Sequence, residues 1–77
     1  MGGFLVAYGW IDGNWYSATF VTKENKEKFI YYLLNELGAI QIDDWYELKN
    51  ANSVTLASNY ARSSAEGQTF TWSGFTS

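Results

Sequence analysis

Residues 4–21, FLVAYGWIDGNWYSATFV, read as two apolar runs folded back on Asp12-Gly13. Asp-Gly between alternating runs is the strongest short-range hairpin signal, because a type I′ turn needs positive φ at both central residues and these two types tolerate it. A loop of Asp12-Gly13 alone opposes Ile11 to Asn14, Trp10 to Trp15, Tyr8 to Ser17, Val6 to Thr19 and Phe4 to Val21. One face then carries Phe4, Val6, Tyr8, Trp10, Trp15, Ser17, Thr19 and Val21; the other carries Leu5, Ala7, Gly9, Ile11, Tyr16, Ala18 and Phe20. The small residues Ala7, Gly9 and Ala18 make this second face a shallow trough for a helix. On the first face Trp10 and Trp15 form a close, non-hydrogen-bonded pair beside Tyr8.

Thr22 follows as an N-cap, residues 23–37 carry the helical pattern, and Gly38 is placed at C′. Phe29, Ile30, Leu33 and Leu37 make the apolar stripe, widened by the Lys26 stem, Tyr32 and Leu34. Glu24 supports Lys28 one turn on, and Tyr31 and Asn35 join them on the outer face. This stripe is expected on the trough of Leu5, Ala7, Ala18 and Phe20.

Residues 39–42 suit a short strand ended by Asp43-Asp44. Asp44 with Glu47 three residues later matches a capping box, which predicts a short helix over residues 45–49, followed by a loop at 50–53. In residues 54–65, Val54, Ala57, Ala61 and Ala65 with Leu56 and Tyr60 form a helical stripe, while residues 54–57 alone also suit a strand; a helix is favoured, with Ser53 as N-cap and Gly67 as terminator. The alternating QTFTWSGF of residues 68–75 predicts the last strand, with Phe70 and Trp72 on one face. The expected fold is a single α+β domain over residues 1–77: a β-hairpin and main helix, then a strand, short helical structure and a final strand.

The composition limits function more sharply than fold. At 77 residues the core is only just large enough to fold alone, and the 47% hydrophobic and 19% aromatic content meets that demand. There is no Cys, which excludes disulfides, thiol nucleophiles and Cys-ligated zinc, and there is no His, the usual general base and transition-metal ligand. The serines thus lack a His partner, the Gly2-Gly3 start matches no phosphate-binding loop, and no cofactor is expected. A formal charge of −3 with Lys23, Lys26 and Lys28 interleaved by Glu24 and Glu27 leaves no broad cationic surface, so nucleic acid is not expected as the main partner. No apolar run reaches the roughly 18 residues of a membrane span, and the basic start of a signal peptide is missing. The expected location is the cytoplasm.

Two constellations remain. Tyr8, Trp10 and Trp15 beside Asp12 and Asn14 form an aromatic patch that can grip a protein anchor or stack on a sugar, unless the C-terminal half covers it as core. Asp43, Asp44 and Glu47 stand with Trp45 and Tyr46. Carboxylates in that pattern suit a hard cation or acid–base chemistry, but they lack the spacing of a calcium loop, and helix capping accounts for them better.

By elimination the sequence points to a small non-enzymatic domain, an inhibitor or adaptor that occupies a site on a larger protein through aromatic anchors and an acidic rim. Size and charge are in the range of phage or mobile-element inhibitors of host defence, which act in the host cytoplasm; that is analogy. A carbohydrate-binding module and a homo-oligomeric assembly component are the alternatives.

Overall fold

The computed structural model describes residues 3–63 and 68–72, with side chains over 3–62. Strand β1 (Phe4–Gly9) turns into β2 (Trp15–Phe20), and helix α1 (Lys23–Tyr31) follows, continuing through a π-helical turn (Tyr32–Glu36). Then come β3 (Ile40–Ile42), β4 (Trp45–Glu47), helix α2 (Ala51–Ser63) and β5 (Gln68–Trp72). The five strands make one mixed sheet in the order β3-β4-β1-β2-β5, antiparallel except for the β1–β4 pair. The fold is α+β.

The hairpin forms, but its loop is not Asp12-Gly13. Gly9 pairs with Trp15, Tyr8 with Tyr16, Val6 with Ala18 and Phe4 with Phe20, which moves the expected register by one residue. The turn spans Trp10 to Gly13, closed by the Gly13 amide donating to the Trp10 carbonyl at 2.9 Å. Neither Asp12 nor Gly13 takes positive φ. Because side chains alternate along a strand, a one-residue slip exchanges the faces of β2 relative to β1. One face is now wholly apolar, with Phe4, Val6 and Tyr8 against Tyr16, Ala18 and Phe20, and the other holds Leu5, Ala7, Gly9, Trp15, Ser17 and Thr19. The observed pairing separates large apolar residues from small and polar ones better than the two-residue loop does, and burial selects it.

Both helices lie on that apolar face. β2 connects through α1 to β3, and β4 through α2 to β5, each joining parallel strands from opposite sides of the sheet. The two connections start on antiparallel strands and run in opposite directions, so placing both helices on one face gives both crossovers the same hand. Phe29 is the hub of the core. Its ring meets Tyr8 edge-on at 5.4 Å, Phe20 at 5.0 Å and Tyr60 of α2 at 6.2 Å. Leu33, Leu37, Val54, Ala57 and Ala61 complete the cluster, the small alanines allowing α2 to settle close. The expected trough is thus half right: Ala18 and Phe20 face the helix, but β1 contributes Val6 and Tyr8, while Ala7 and Gly9 point to the other side.

Local signals at α1 hold. The Thr22 hydroxyl accepts from the Asn25 amide at 3.1 Å, and Glu24 reaches Lys28 at 3.8 Å on the solvent side. Gly38 sits at φ 68, the left-handed value that favours glycine at C′. The last turn is wider than an α-helix: Leu37 donates to Tyr32 at 3.1 Å, and Ala39 donates back to Leu33 at 2.8 Å across Gly38.

Two expectations in the second half are corrected. Residues 45–49 are not a helix, because Asp43 and Asp44 form a two-residue turn between β3 and β4, and Asp44 caps nothing. Asp43 takes φ 51, a conformation its short side chain tolerates. The second helix starts earlier than Val54: the Asn50 side chain accepts from the Ser53 amide at 2.9 Å, so Asn50 is the N-cap and residues 51–53 are helical. The expected Gly67 terminator, Ala65, and residues 73–75 of the last strand lie outside the described residues, as do the side chains of Phe70 and Trp72.

The Tyr8 hydroxyl shares a 2.7 Å hydrogen bond with the Ser58 hydroxyl inside the core. Burial raises the Tyr8 pKa above its ordinary value of 10.0, outweighing the opposing effects of the Ser58 bond and Arg62. The folded state therefore holds this proton more tightly than the unfolded state does. Its contribution is fully present below pH 10.0 and is lost as pH rises through the higher folded value. Tyr8→Phe leaves Ser58 unpaired and is expected to cost about 1–2 kcal/mol in urea melts at neutral pH. The same variant should lose less stability than wild type between pH 9 and 11; an unchanged alkaline limb would contradict this assignment.

Candidate functional site

The structure divides the sequence candidates among three places. Tyr8 is completely buried under the helices and Trp15 is buried on the opposite face of the sheet, so they cannot share an aromatic patch. Trp15 lies across Gly9, where an added Cβ would stand 2.8 Å from the indole, and its ring meets Trp45 edge-on at 6.0 Å. Trp10 is half-buried, packed against the helix-side core, with its indole folded over Gly13. Glycine is needed at position 13 for space rather than for φ, since any Cβ there would collide with that ring. Asp12 and Asn14 are exposed in the loop, but without an open aromatic platform beside them. The sheet thus uses as packing the rings that composition offered as a binding surface.

The second constellation stays near solvent. Ile42 pairs with Trp45, Gln41 with Tyr46 and Ile40 with Glu47 across the β3–β4 hairpin. Parallel pairing of Trp45 with Ala7 and Tyr46 with Tyr8 fixes the sides. Ile40, Ile42, Trp45 and Glu47 lie on the face away from the helices, whereas Gln41 and Tyr46 lie on the helix side. β3 is an edge strand with all three residues exposed, Ile40 at 62% and Ile42 at 37%. Asp43 and Asp44 project from the turn. Because β4 runs parallel to β1, this turn lies at the Phe4 end of the sheet, and Asp12 lies at the other end. The two acidic groups do not converge. Among the described residues no three Asp or Glu side chains gather as metal ligands do.

On the helix side, a cleft of about 320 Å³ opens between α1 and the hairpin. It is lined by Val6, Ile30 and Tyr46 together with Lys26, Gln41, Asp43, Asp44 and Leu5. Lys26 extends its ammonium to 5.8 Å from the centre of the Phe4 ring, so mainly its stem lines the cleft. Burial raises the Tyr46 pKa above 10.0, and the nearby Asp44 carboxylate raises it further. Sequence reasoning missed the contribution of Ile40, Ile42 and Lys26 to this region. An edge strand next to an Asp-Asp turn was a usable signal for the isoleucines; the approach of Lys26 depends on how α1 crosses the sheet.

No protein-family model, curated protein or solved structure matches the chain. No helix among the described residues is long and apolar enough to cross a membrane.

The packing of Trp10 on Gly13 has a direct check. Gly13→Ala is expected to destabilise the fold by about 1–3 kcal/mol, while in a Trp10→Ala background the same change should cost under about 0.5 kcal/mol. Additive costs in the double-mutant cycle would show that the ring does not rest there.

Proposed function

We propose that this chain is a small non-enzymatic protein-binding domain, an inhibitor or adaptor, and that it meets its larger partner through the β3–β4 hairpin. The observation that carries the reading is the exposed pair Ile40 and Ile42 on an edge strand, flanked by the acidic turn Asp43-Asp44. Ile42 stands against half-buried Trp45 and Ile40 against Glu47, which gives an apolar centre with an aromatic anchor and a carboxylate rim. Binding surfaces concentrate their energy in such anchors, and their charged rims steer encounter and select the partner. The matching partner presents an apolar groove or sheet edge bordered by basic residues. Strand addition to β3 would supply main-chain hydrogen bonds along the same line.

The burial of Tyr8 and Trp15 and the packing of Trp10 on Gly13 favour this reading over the sugar-stacking alternative. Inhibition of a host defence system by a phage-encoded protein is one use compatible with a compact domain of net charge −3.

Immobilised wild-type chain is expected to retain one stoichiometric protein from a cell lysate, with retention falling as salt rises. Ile40→Lys with Ile42→Lys should reduce retention more than ~10-fold while leaving the melting curve nearly unchanged, since both side chains are exposed. Ile11→Lys, at the opposite end of the sheet, should have no effect. Absence of any stoichiometric protein, or equal retention by the double-lysine chain, would sink this reading.

A further inference from the structure

Strand β3 is an edge without the charges, proline or bulge that commonly keep such edges apart; Ile40, Gln41 and Ile42 are all exposed. The two-residue turn at Asp43-Asp44 makes Ile42 and Trp45 the pair that exchanges both main-chain bonds, so Ile40 and Glu47 do the same and Gln41 does not bond to β4. The Gln41 N–H and C=O therefore point outward from the sheet. The groups on either side of β3 are already engaged. The Ala39 amide donates to the Leu33 carbonyl at 2.8 Å, and the Asp43 carbonyl accepts from the Gln41 side-chain amide at 3.4 Å.

We infer that β3 pairs antiparallel with β3 of a second copy of this chain about a twofold axis at Gln41, joining the two sheets edge to edge. Gln41 of each copy then exchanges both bonds with Gln41 of the other, which uses only the uncommitted main-chain groups. Centring the pair on Ile40 would need the Ala39 amide, and centring it on Ile42 would need Asp43, which stands at φ 51. In the Gln41 register, Ile40 of each copy faces Ile42 of the other as a non-hydrogen-bonded pair, where side chains approach most closely. Charge complementarity makes the occupant a second copy. Beyond the isoleucines, Asp44 of one copy stands opposite Gly38 of the other. Lys49 is level with Gly38 on the β4 side and lies across it: a Cβ built on Gly38 would stand 2.9 Å from the Lys49 Cε and 3.2 Å from its Nζ. The bare glycine lets the ammonium reach the line of β3, where Asp44 of the other copy arrives. Lys49, Asp43 and Asp44 are exposed and make no ion pair among the described residues. Each copy thus offers a cation at one end of β3 and carboxylates at the other, which a twofold axis matches twice. The shared edge is short, so the dimer is weak and exchanges with monomer. Pairing consumes the edge and leaves the outward face of Ile40, Ile42 and Trp45 for a larger protein; a partner that adds a strand at β3 displaces the second copy.

Purified chain alone tests this, independently of any captured protein. Sedimentation equilibrium from micromolar to millimolar concentration should show monomer passing to dimer, and isotope-filtered NOEs in a mixture of labelled and unlabelled chain should link Ile40 to Ile42 between copies. Lys49→Glu and Asp44→Lys should each weaken the dimer by ~10-fold, because each reverses two ion pairs at once. Mixing those two variants restores opposite charges at both ends and should recover association. Gln41→Pro removes the outward N–H without touching a bond to β4, and should stay monomeric. Amide spectra report whether each variant is folded. A single monomeric species at millimolar concentration, intermolecular contacts at another edge or at the helices, or charge-reversed chains that stay apart when mixed would overturn the inference.

Discussion

Phe29 is buried where Val6, Tyr8, Ala18 and Phe20 all turn toward it, and a one-residue slip in the pairing of β1 with β2 would take Ala18 and Phe20 away. This register governs the rest of the molecule. It assigns the large apolar residues of both strands to the helix side and leaves Ala7, Gly9 and Ser17 on the other. It also sends Tyr8 and Trp15 to opposite faces. A slip of one residue would set Thr19 and Ser17 beside Val6 and Tyr8, placing two hydroxyls under α1 and removing Phe20 from the hub. Polar groups buried without partners are costly, and the lost ring contacts would add to that.

The same constraint explains what the sequence did and did not disclose. Helix α1 was legible because its signals are local: the Thr22 cap, the Phe29, Leu33 and Leu37 stripe, and Gly38 at the end all lie within one stretch. β3 was legible for a similar reason, with two isoleucines closed by a polar turn. Asp12-Gly13 misled because the loop must also house the Trp10 indole, a packing demand that turn chemistry does not contain. Asp44 and Glu47 misled because a capping box and a hairpin turn use the same residue types. The choice was made by β4 pairing with Ala7, Tyr8 and Gly9, a contact almost forty residues away in sequence. Ser58 gave no sign that it would meet the Tyr8 hydroxyl, since nothing near it in the chain calls for a partner.

For the candidate site, composition pointed to aromatic and acidic residues but centred the reading on Tyr8 and Trp15, rings that the small core consumes. A domain of this length cannot spare many aromatics from its interior. What stays outside is set by topology: β3 is an edge strand, so Ile40 and Ile42 remain exposed while Trp45 keeps one side toward Trp15. The two sides of the β3–β4 hairpin then differ in chemistry. One presents isoleucines with Trp45 and Glu47; the other presents Tyr46 in a cleft that Lys26, Asp43 and Asp44 also line.

The most direct measurement is the set of backbone NOEs between β1 and β2. The account requires cross-strand contacts linking Val6 to Ala18 and Tyr8 to Tyr16 as directly opposed pairs, with Gly9 opposite Trp15. Opposed pairs of Val6 with Thr19, Tyr8 with Ser17 and Trp10 with Trp15 would restore the two-residue loop, return Trp10 and Trp15 to one face, and contradict both the core and the assignment of the contact surface to the hairpin of β3 and β4.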